Sequence, residues 1–381
     1  MRRALIVTSI GGFLPQFEMN DVRILQDYGM EVHYASDFQE PFYHLDLDQL
    51  REQGIRPHAV SIHKSPAAIL RNLKAFFEIR KLIDREEIDL VHCHNPLGGA
   101  VGRLAAAASR RKPKVIYTAH GFHFYIGAPL LNWLLFYPVE RLLAHFTDVI
   151  ITINAEDRER AKTFRLRRGG RVYRIHGVGV DMNRFRPQPQ KRQEMRARLG
   201  IPEDGFHVVT AAELNENKNQ SAVIRAIAAM EDPAVYYSIC GKGSTAEKLR
   251  EEIDAQGLGE HVRLVGYRHD IEDVLQSADC FAFPSFREGL GVAAVEALAC
   301  GVPLIASDNR GTREYLQDQV NGFRCGASDP PSFTRALERL KADAALRKRI
   351  SSCCRASVSR FSVEDTDRRM RKIYREVIHE Q

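Results

Sequence analysis

Residues 283–303 read FPSFREGLGVAAVEALACGVP, and this stretch carries the strongest structural signal in the chain. Its apolar start predicts a β-strand that ends at Pro284, and its Ala- and Val-rich part predicts a buried helix that begins near Gly289–Gly291. Glycines at a helix start let unpaired backbone amides approach a ligand closely, and these amides, with the helix dipole, stabilise an anion. The stretch therefore predicts a strand–loop–helix unit with an anion site.

The same alternation of strand and helix runs along the whole chain. Apolar runs rich in β-branched residues predict strands near residues 4–9, 31–35, 90–93, 114–119, 149–152, 172–175, 207–212, 235–240, 262–265, 280–283, 303–306 and 322–325. Continuous apolar strands between helices indicate buried parallel sheets with right-handed crossovers. The predicted fold class is α/β, with two doubly wound Rossmann-like lobes whose loops face a central cleft.

Two prolines among polar residues at 185–191 predict the break between the lobes. We therefore expect a first lobe at 1–186, a second lobe at 187–360 and a charged amphipathic helix at 361–381. Its apolar stripe consists of Met370, Ile373, Val377 and Ile378. We expect this helix to pack back on the first lobe.

The composition excludes several classes of protein. Hydrophobic residues make up 44% of the 381 positions and charged residues 27%, which excludes disordered and fibrous chains. The net charge of +6 permits an anionic partner, but no nucleic-acid-binding module is present and we expect no nucleic acid. Seven scattered cysteines without CxxC favour a reducing, cytoplasmic compartment. The sequence contains no run of about 18 apolar residues, so we expect no membrane span. The apolar residues 4–10 predict a first strand rather than a signal peptide.

Glu288 and Glu296 are the acidic residues of the decisive stretch. Eight residues at about 100° each are two turns plus about 80°, so both side chains can border one bound molecule. A carboxylate accepts hydrogen bonds from neighbouring hydroxyls, which suits a sugar. The alternative is a helix-capping glutamate and a surface glutamate. The apolar neighbours of Glu296 favour function, because a buried charge is costly without a partner.

The pattern from Glu288 to Glu296, continued by ALACGVP, resembles the hallmark of retaining glycosyltransferase family 4, which has the GT-B fold. Further segments resemble its capsule and exopolysaccharide branch: TAHGFHF at 118–124, VGVD at 178–181, ELNENKN at 213–219 and GYRHD at 266–270. The resemblance implies transfer of a sugar, often N-acetylated, from a UDP-sugar with retention at the anomeric carbon. It implies an undecaprenyl-diphosphate-linked or saccharide acceptor and no metal cofactor.

The resemblance also assigns roles to individual residues. Glu288 contacts the hydroxyls of the donor sugar and positions its anomeric carbon. Lys218 neutralises the departing diphosphate, and His120 contacts the donor sugar or the reacting centre. His94 and Asn95 border the acceptor. The donor-binding positions are Gly11 and Gly12, whose backbone can approach the phosphates and the acceptor, Gly241 beside the nucleotide, Tyr267 and Arg268 near the base, Leu290, Gly291 and Val292 through backbone amides, and Glu296 on the ribose.

One departure from the family pattern concerns the charge of the leaving group. Many members place an arginine a few residues before the lysine, whereas this chain has Glu213-Leu214-Asn215 there. Stabilisation of the diphosphate is then expected to rest on Lys218, with Arg268 as a substitute for the missing arginine. The alternatives are a surface lysine at 218 and a hydrogen-bonded structural histidine at 120.

Three other motifs offer alternatives. Residues 241–246 read GKGSTA, which matches the dinucleotide fingerprint and leaves open an NAD(P)-dependent oxidoreductase, and a non-catalytic sugar-nucleotide-binding protein is also open. Asp46-Leu47-Asp48 has the spacing of a metal–diphosphate motif, but no apolar strand precedes it and a solvated loop is expected. His92-Cys93-His94 places two imidazoles on one strand face, where zinc would need a third ligand.

A basic cluster lies near an apolar and aromatic stretch at 129–138. The cluster comprises Arg158, Arg160, Lys162, Arg165, Arg167, Arg168, Arg171 and Arg174. Together they predict docking of the first lobe on the anionic inner face of the cell membrane, which would give access to a lipid-linked acceptor. The alternative is a solvated basic face beside a core helix.

Overall fold

The computed structural model describes residues 2–39 and 41–379 and divides into two compact units. The first unit comprises residues 1–178 with 364–381, and the second comprises 179–363. In this division residues 185–191 belong to the second unit, where the Gln188 backbone N–H donates to Gln276 Oε1 at 2.7 Å. Both units have an α/β architecture, so the predicted fold class is confirmed.

The first unit contains a seven-stranded parallel sheet with strand order β3-β2-β1-β4-β5-β6-β7. The strands are β1 (Arg3–Val7), β2 (Glu31–Ser36), β3 (Ile55–Ala59), β4 (Leu90–His94), β5 (Lys114–Ala119), β6 (Val149–Thr152) and β7 (Arg171–Arg174). The helices are α1 (Met19–Asp27), α2 (Leu47–Glu52), α3 (Ile69–Arg85), α4 (Pro96–Ala108), α5 (Leu130–Ala144) and α6 (Ala155–Ala161). Strands β1 and β4 are almost wholly buried, as expected for the centre of a sheet covered on both faces.

The edge strand β3 is absent from the sequence-based prediction. Its residues, IRPHA, alternate polar and apolar types and include Pro57. Proline cannot donate a hydrogen bond to a neighbouring strand, so it is confined to edge strands, and β3 forms the edge beside β2. The run therefore lacks the apolar continuity that revealed the buried strands.

The second unit contains a six-stranded parallel sheet with strand order β10-β9-β8-β11-β12-β13. The strands are β8 (Phe206–Ala211), β9 (Val235–Cys240), β10 (Val262–Gly266), β11 (Cys280–Phe283), β12 (Leu304–Ser307) and β13 (Gly322–Cys325). The helices are α7 (Arg192–Leu199), α8 (Gln220–Ala228), α9 (Ala246–Ala255), α10 (Ile271–Ser277), α11 (Val292–Ala299), α12 (Pro330–Ala342) and α13 (Ala344–Ser357). In both sheets the strand order reverses direction beside the first strand, which is where doubly wound folds bind ligands.

The last helix, α14 (Val363–His379), packs on the first unit, as predicted. The four residues of its predicted apolar stripe, Met370, Ile373, Val377 and Ile378, are buried. Tyr374 is also buried, and its hydroxyl lies 2.7 Å from Nδ1 of His92 on β4. The hydroxyl of Tyr28 at the end of α1 donates to the Arg371 carbonyl at 3.0 Å.

A buried ion pair joins α4 to α5. Arg103 is fully buried, stacks over the Tyr117 ring at 3.9 Å and donates to Glu140 Oε2 at 2.8 Å. Its Nε also donates to the Gly99 carbonyl at 2.8 Å. Because a buried guanidinium loses its hydration, these contacts are needed to compensate its charge.

We expect Glu140→Ala to lower the stability of the first unit by about 3–5 kcal/mol, because it leaves Arg103 buried without its counter-charge. Trp133 is the one tryptophan of the sequence and lies on α5, so its fluorescence during urea unfolding reports on this unit. Glu194→Ala, which removes an exposed pair with Arg198, is the control and should change stability by less than about 1 kcal/mol. Equal effects of the two variants would contradict a structural role for the buried pair.

Candidate functional site

An ion pair between two of the predicted catalytic residues lies at the carboxyl ends of neighbouring strands in the second unit. Lys218 Nζ is 2.6 Å from Glu288 Oε1. Lys218 follows β8 and Glu288 follows β11, and these strands are hydrogen-bonded neighbours in the sheet. The Glu288 side chain is 10% exposed and the Lys218 side chain 20%, so both charges are largely screened from water and held together.

Asparagines connect the two loops that carry this pair. The Asn217 side chain donates to the Arg287 carbonyl at 2.9 Å, and the Asn217 carbonyl accepts from the Phe286 backbone N–H at 2.9 Å. Asn219, in a left-handed conformation with φ of 53°, donates through its side chain to the Pro284 carbonyl at 3.1 Å. These bonds fix the position of Lys218 relative to Glu288.

The start of α11 is built around Gly291. This residue has φ of 91°, and an added Cβ would lie 2.6 Å from the Phe283 ring and 2.9 Å from the Tyr315 hydroxyl. The same hydroxyl donates to the Leu290 carbonyl at 2.9 Å. The first helical residue is Val292, so the predicted helix start is confirmed within one residue. The first-turn amides of a helix have no intrahelical acceptor, which suits them to an anion.

Glu296 lies on α11, partly buried, and its environment disfavours its charge. Burial raises the pKa of the Glu296 carboxyl to about 7. The positive charge of Arg184 lowers this pKa, and the negative charge of Glu272 raises it further. Arg184 itself pairs with Glu272 at 2.7 Å. Hydrogen-bond donors such as hydroxyl groups would stabilise the charged form of a carboxyl in such a position.

The predicted nucleotide-binding loops follow β9 and β10, which are adjacent. The Gly241 backbone N–H donates to the Gly266 carbonyl at 2.8 Å, and Lys242 Nζ lies 5.6 Å from the centre of the half-exposed Tyr267 ring. Arg268 donates to both carboxylate oxygens of Asp270, at 2.8 and 2.6 Å. The Arg268 guanidinium is therefore already held by a carboxylate on its own loop.

In the first unit, His94 and His120 meet at the ends of β4 and β5. Their ring nitrogens, Nδ1 of His94 and Nε2 of His120, are 3.1 Å apart. Glu18, which precedes α1, places Oε1 at 3.4 Å from the first nitrogen and 3.5 Å from the second. Burial lowers the pKa of both histidines to about 4, and burial raises the pKa of Glu18 to about 7, an effect that the charge of His120 partly opposes.

A second buried cluster adjoins the first through His94. His92 Nδ1 lies 2.7 Å from the Tyr374 hydroxyl and 3.5 Å from Asp21 Oδ2, and His92 Nε2 lies 2.8 Å from the Thr118 hydroxyl. Burial and the neighbouring Glu18 carboxyl raise the pKa of Asp21 to about 8. A carboxyl and two imidazoles are ligands that zinc accepts, and each cluster supplies such a set.

The predicted glycines after β1 are packed against their own chain. A Cβ on Gly12, whose φ is 80°, would lie 2.6 Å from the Tyr43 carbonyl oxygen, and one on Gly11 would overlap the Asp37 carbonyl oxygen. Asn95, ahead of α4, has φ of 63° and is buried. The structure thus places Gly11, Gly12, His94, Asn95 and His120 at the carboxyl ends of the adjacent strands β1, β4 and β5.

Sequence reasoning missed Glu18 and Asp21 and assigned the wrong local structure to the Asp46 motif. Glu18 and Asp21 belong to no recognisable motif; the available signal was two acidic residues at the start of the first helix, Glu18 just before it and Asp21 in its first turn. Asp46 is the N-cap of α2 and accepts from the backbone N–H groups of Asp48 and Gln49 at 3.0 Å. The expected loop is therefore a helix start, whereas both aspartates are exposed as expected, and the Asp-x-Asp spacing is that of a helix cap.

Comparisons with known proteins identify both halves of the chain. The family described as "Glycosyltransferase Family 4" matches residues 22–184, and the family described as "Glycosyl transferases group 1" matches residues 191–355. A Bacillus subtilis protein named "Putative glycosyltransferase EpsD" is 38% identical over 377 residues, covering 98% of this chain and 96% of that protein. An Escherichia coli protein named UDP-Gal:alpha-D-GlcNAc-diphosphoundecaprenol alpha-1,3-galactosyltransferase is 26% identical over 316 residues, covering 82% of this chain and 81% of that protein.

Solved structures share the fold along the whole chain. HepE of Anabaena, solved in complex with UDP and glucose, has a TM-score of 0.81 at 20% identity and covers 99% of this chain and 100% of its own. Sucrose-phosphate synthase of Thermosynechococcus elongatus has a TM-score of 0.80 at 19% identity, with both chains fully covered. The matches favour neither the oxidoreductase nor the non-catalytic alternative.

We expect Gly291→Ala to destabilise the second unit by more than the roughly 1 kcal/mol that a strained left-handed backbone costs alone, because its Cβ also meets Phe283 and Tyr315. Gly257→Ala is the matched control, since Gly257 also has positive φ, 67°, but no atom within 4 Å of the added Cβ. Thermal unfolding of both variants measures the difference. Indistinguishable midpoints would contradict the tight packing at the helix start.

Proposed function

The chain belongs to the family 4 glycosyltransferases, and from that premise we propose that it is a retaining enzyme that uses a UDP-sugar. The donor sugar is proposed to be N-acetylated, and the acceptor to be an undecaprenyl-diphosphate-linked saccharide in the synthesis of a cell-surface polysaccharide. The observation that carries this proposal is the Lys218–Glu288 pair at 2.6 Å, beside the glycine-bearing start of α11. The complexes of HepE with UDP, and the UDP-galactose named for the Escherichia coli relative, support the choice of UDP.

Lys218 and Glu288 are suited to opposite ends of the bond that breaks. Departure of UDP develops negative charge on the diphosphate, which an ammonium and helix-start amides stabilise. The carboxylate of Glu288 accepts hydrogen bonds from sugar hydroxyls and orients the anomeric carbon. The departing diphosphate then guides the acceptor hydroxyl to the same face, which gives retention without an enzyme nucleophile. No metal ion is required for these steps.

Lys218 carries more of the leaving-group charge than Arg268 in this proposal. Arg268 is bound by both oxygens of Asp270, and it would have to give up that bidentate pair to reach a phosphate. Lys218 has a single flexible ammonium that can contact Glu288 and a phosphate oxygen together. Tyr267 and Gly241 are assigned to the base and its approach, and Glu296 to the ribose hydroxyls.

The first unit is proposed to receive the acceptor. The carboxyl ends of the central strands are where doubly wound folds bind ligands, and they carry His94, Asn95, Gly11 and Gly12. His120 is assigned to the donor sugar or the reacting centre. The diphosphoundecaprenol substrate named for the Escherichia coli relative supports a lipid-linked acceptor.

An apolar surface on α5 supports docking of the first unit on the cytoplasmic face of the membrane. Exposed leucines line this helix, with exposed fractions of 73% at Leu130, 61% at Leu131, 64% at Leu134 and 60% at Leu142. The described residues include no helix that is both long and apolar enough to cross a bilayer. Helix α5 would therefore lie in the interface rather than span it.

A second exposed apolar strip, not foreseen from the sequence, lies on α3. Ile69, Leu70, Leu73 and Phe77 are more than half exposed, and α3 packs on α4, which contacts α5. The predicted basic cluster is partly used within the protein, since Arg167 pairs with Asp148 at 2.9 Å. Lys162 and Arg171 also form ion pairs, with Glu159 and Glu376. The exposed Arg165 and Arg168 are suited to anionic lipid, at about 1 kcal/mol per cationic residue.

We expect Lys218→Ala to weaken UDP binding by about 10- to 100-fold, because a charge-assisted hydrogen bond contributes about 1.5–3 kcal/mol. Uridine, which lacks the diphosphate, should bind the variant and the wild type equally. Glu296→Ala should weaken the binding of both UDP and uridine, since both carry the ribose. Isothermal titration calorimetry with UDP and uridine measures these differences.

Lys248→Ala is the control, because Lys248 is an exposed lysine of the same unit that pairs with Glu216. Equal weakening of UDP and uridine by Lys218→Ala would place Lys218 away from the diphosphate. Tight binding of NADH with no response to UDP would overturn the proposed donor and revive the oxidoreductase alternative.

We expect the double variant Leu131→Glu and Leu134→Glu to bind anionic phosphatidylglycerol vesicles at least about 10-fold more weakly than the wild type, since each fully buried leucine contributes about 1.5–3 kcal/mol. Co-sedimentation with vesicles measures this loss. Val320→Glu changes an exposed apolar residue of the second unit and should bind like the wild type. A wild-type protein that stays in the supernatant at low salt would contradict membrane docking.

A further inference from the structure

Glu18, His94 and His120 form a compact triangle of potential metal ligands in the first unit. The three atoms are Glu18 Oε1, His94 Nδ1 and His120 Nε2, and the sides of the triangle are 3.1, 3.4 and 3.5 Å. In a tetrahedral zinc site with bonds of about 2.0–2.1 Å, neighbouring ligand atoms are about 3.3–3.4 Å apart. The triangle therefore has the size of one face of a zinc tetrahedron.

We propose that Glu18, His94 and His120 bind a divalent transition-metal ion of the zinc type and leave its fourth coordination position open. The ligand set is two imidazoles and one carboxylate, which is a set found at zinc sites with an exchangeable fourth position. Nothing in the assigned roles of the family requires this ion, and the proposed sugar transfer proceeds without it.

The carboxylate oxygen of Glu18 in this triangle is placed for a ligand and has no other hydrogen-bonding use among the described residues. Glu18 Oε1 is buried and makes no hydrogen bond in the described part of the chain. His94 Nδ1 and His120 Nε2 are 3.1 Å apart and hydrogen-bond each other, and a bound metal ion would replace this bond with two coordination bonds.

The open position is reachable from outside. The His120 side chain is 21% exposed, whereas the His94 side chain is fully buried and that of Glu18 nearly so. A small cavity lined in part by Glu18, Asp21 and His120 adjoins the triangle. A metal ion can thus enter past His120 and be held from behind by the two buried ligands.

The neighbouring set of Asp21, His92 and His94 is less suited to hold the ion. Both ring nitrogens of His92 already have hydrogen-bonding partners, the hydroxyls of Tyr374 and Thr118 at 2.7 and 2.8 Å. This neighbouring set supports the proposed site, because Asp21 offers a carboxylate within 4.8 Å of the ligand atoms of His92 and His94. Carboxylates behind histidine ligands orient the ring and raise its affinity for metal.

Metal binding would have a consequence for catalysis that rests on the proposed function. An ion on His120 engages a side chain that the proposed roles place at the donor sugar or the reacting centre. Zinc is therefore expected to inhibit sugar transfer, while UDP binding through Lys218 in the second unit stays unchanged. Failure of UDP binding would overturn the proposed function and leave the metal site standing.

The test titrates Co²⁺ into the full chain after dialysis against EDTA and records the visible absorption of tetrahedral Co²⁺. We expect one Co²⁺ per chain, displaced by one Zn²⁺. Glu18→Gln and His94→Ala should each weaken Zn²⁺ binding by at least about 100-fold, beyond the roughly 10- to 100-fold loss typical of an outer partner. His145→Ala, which changes an exposed histidine at the end of α5, is the control and should bind like the wild type.

Two outcomes would overturn the proposal. Absence of tetrahedral Co²⁺ absorption in the wild type would show that the triangle is a hydrogen-bonded cluster only. Zinc binding that survives both ligand substitutions would place the ion elsewhere. Glu18→Gln keeps the volume and polarity of the side chain, so its circular dichroism spectrum should match the wild type even where His94→Ala impairs folding.

Discussion

The parallel register of the two sheets is the constraint on which every candidate site depends. Parallel strands have their carboxyl ends on the same side of the sheet, so residues that follow neighbouring strands meet there whatever their separation in sequence. Lys218 and Glu288 are 70 positions apart, yet they follow the adjacent strands β8 and β11 and form an ion pair. Glu18, His94 and His120 meet because β1, β4 and β5 are adjacent in the first sheet.

The two units handle buried polarity in different ways. The second unit keeps a charged pair, Lys218 and Glu288, whose members compensate each other and remain partly accessible. In the first unit the buried cation Arg103 is in contact with its counter-charge, Glu140. Because desolvation penalises the charged form, its buried histidines lose protons while Glu18 retains one more readily.

The sequence predicted the features that arise from continuous patterns. Central strands are apolar runs, and the helix that begins at Val292 follows a glycine-rich loop, so both were found. Edge strand β3 was missed because Pro57 and its polar neighbours interrupt the run. Glu18 was missed because its meaning lies in its distance to two histidines, about 76 and 102 positions away, which no local pattern encodes.

The exposed apolar residues of α3 show the same limit from another direction. Ile69, Leu70, Leu73 and Phe77 occur in an ordinary amphipathic helix, and sequence alone suggests that such residues face the core. The structure places them on the outer side, while Ala75, Ile79 and Ile83 of the same helix fill the core. A helix with apolar residues on both sides is predicted to be buried, and only the positions of its neighbours show which side is exposed.

The neutrality of His120 finally decides which residues can stabilise charge. With its pKa lowered to about 4 by burial, His120 is uncharged at neutral pH and can offer a hydrogen bond or a lone pair, but no positive charge. Arg268 is already committed to Asp270. Among the residues assigned catalytic or donor-binding roles, Lys218 is therefore the cation best placed to neutralise a departing diphosphate, which makes it the residue on which the proposed chemistry depends.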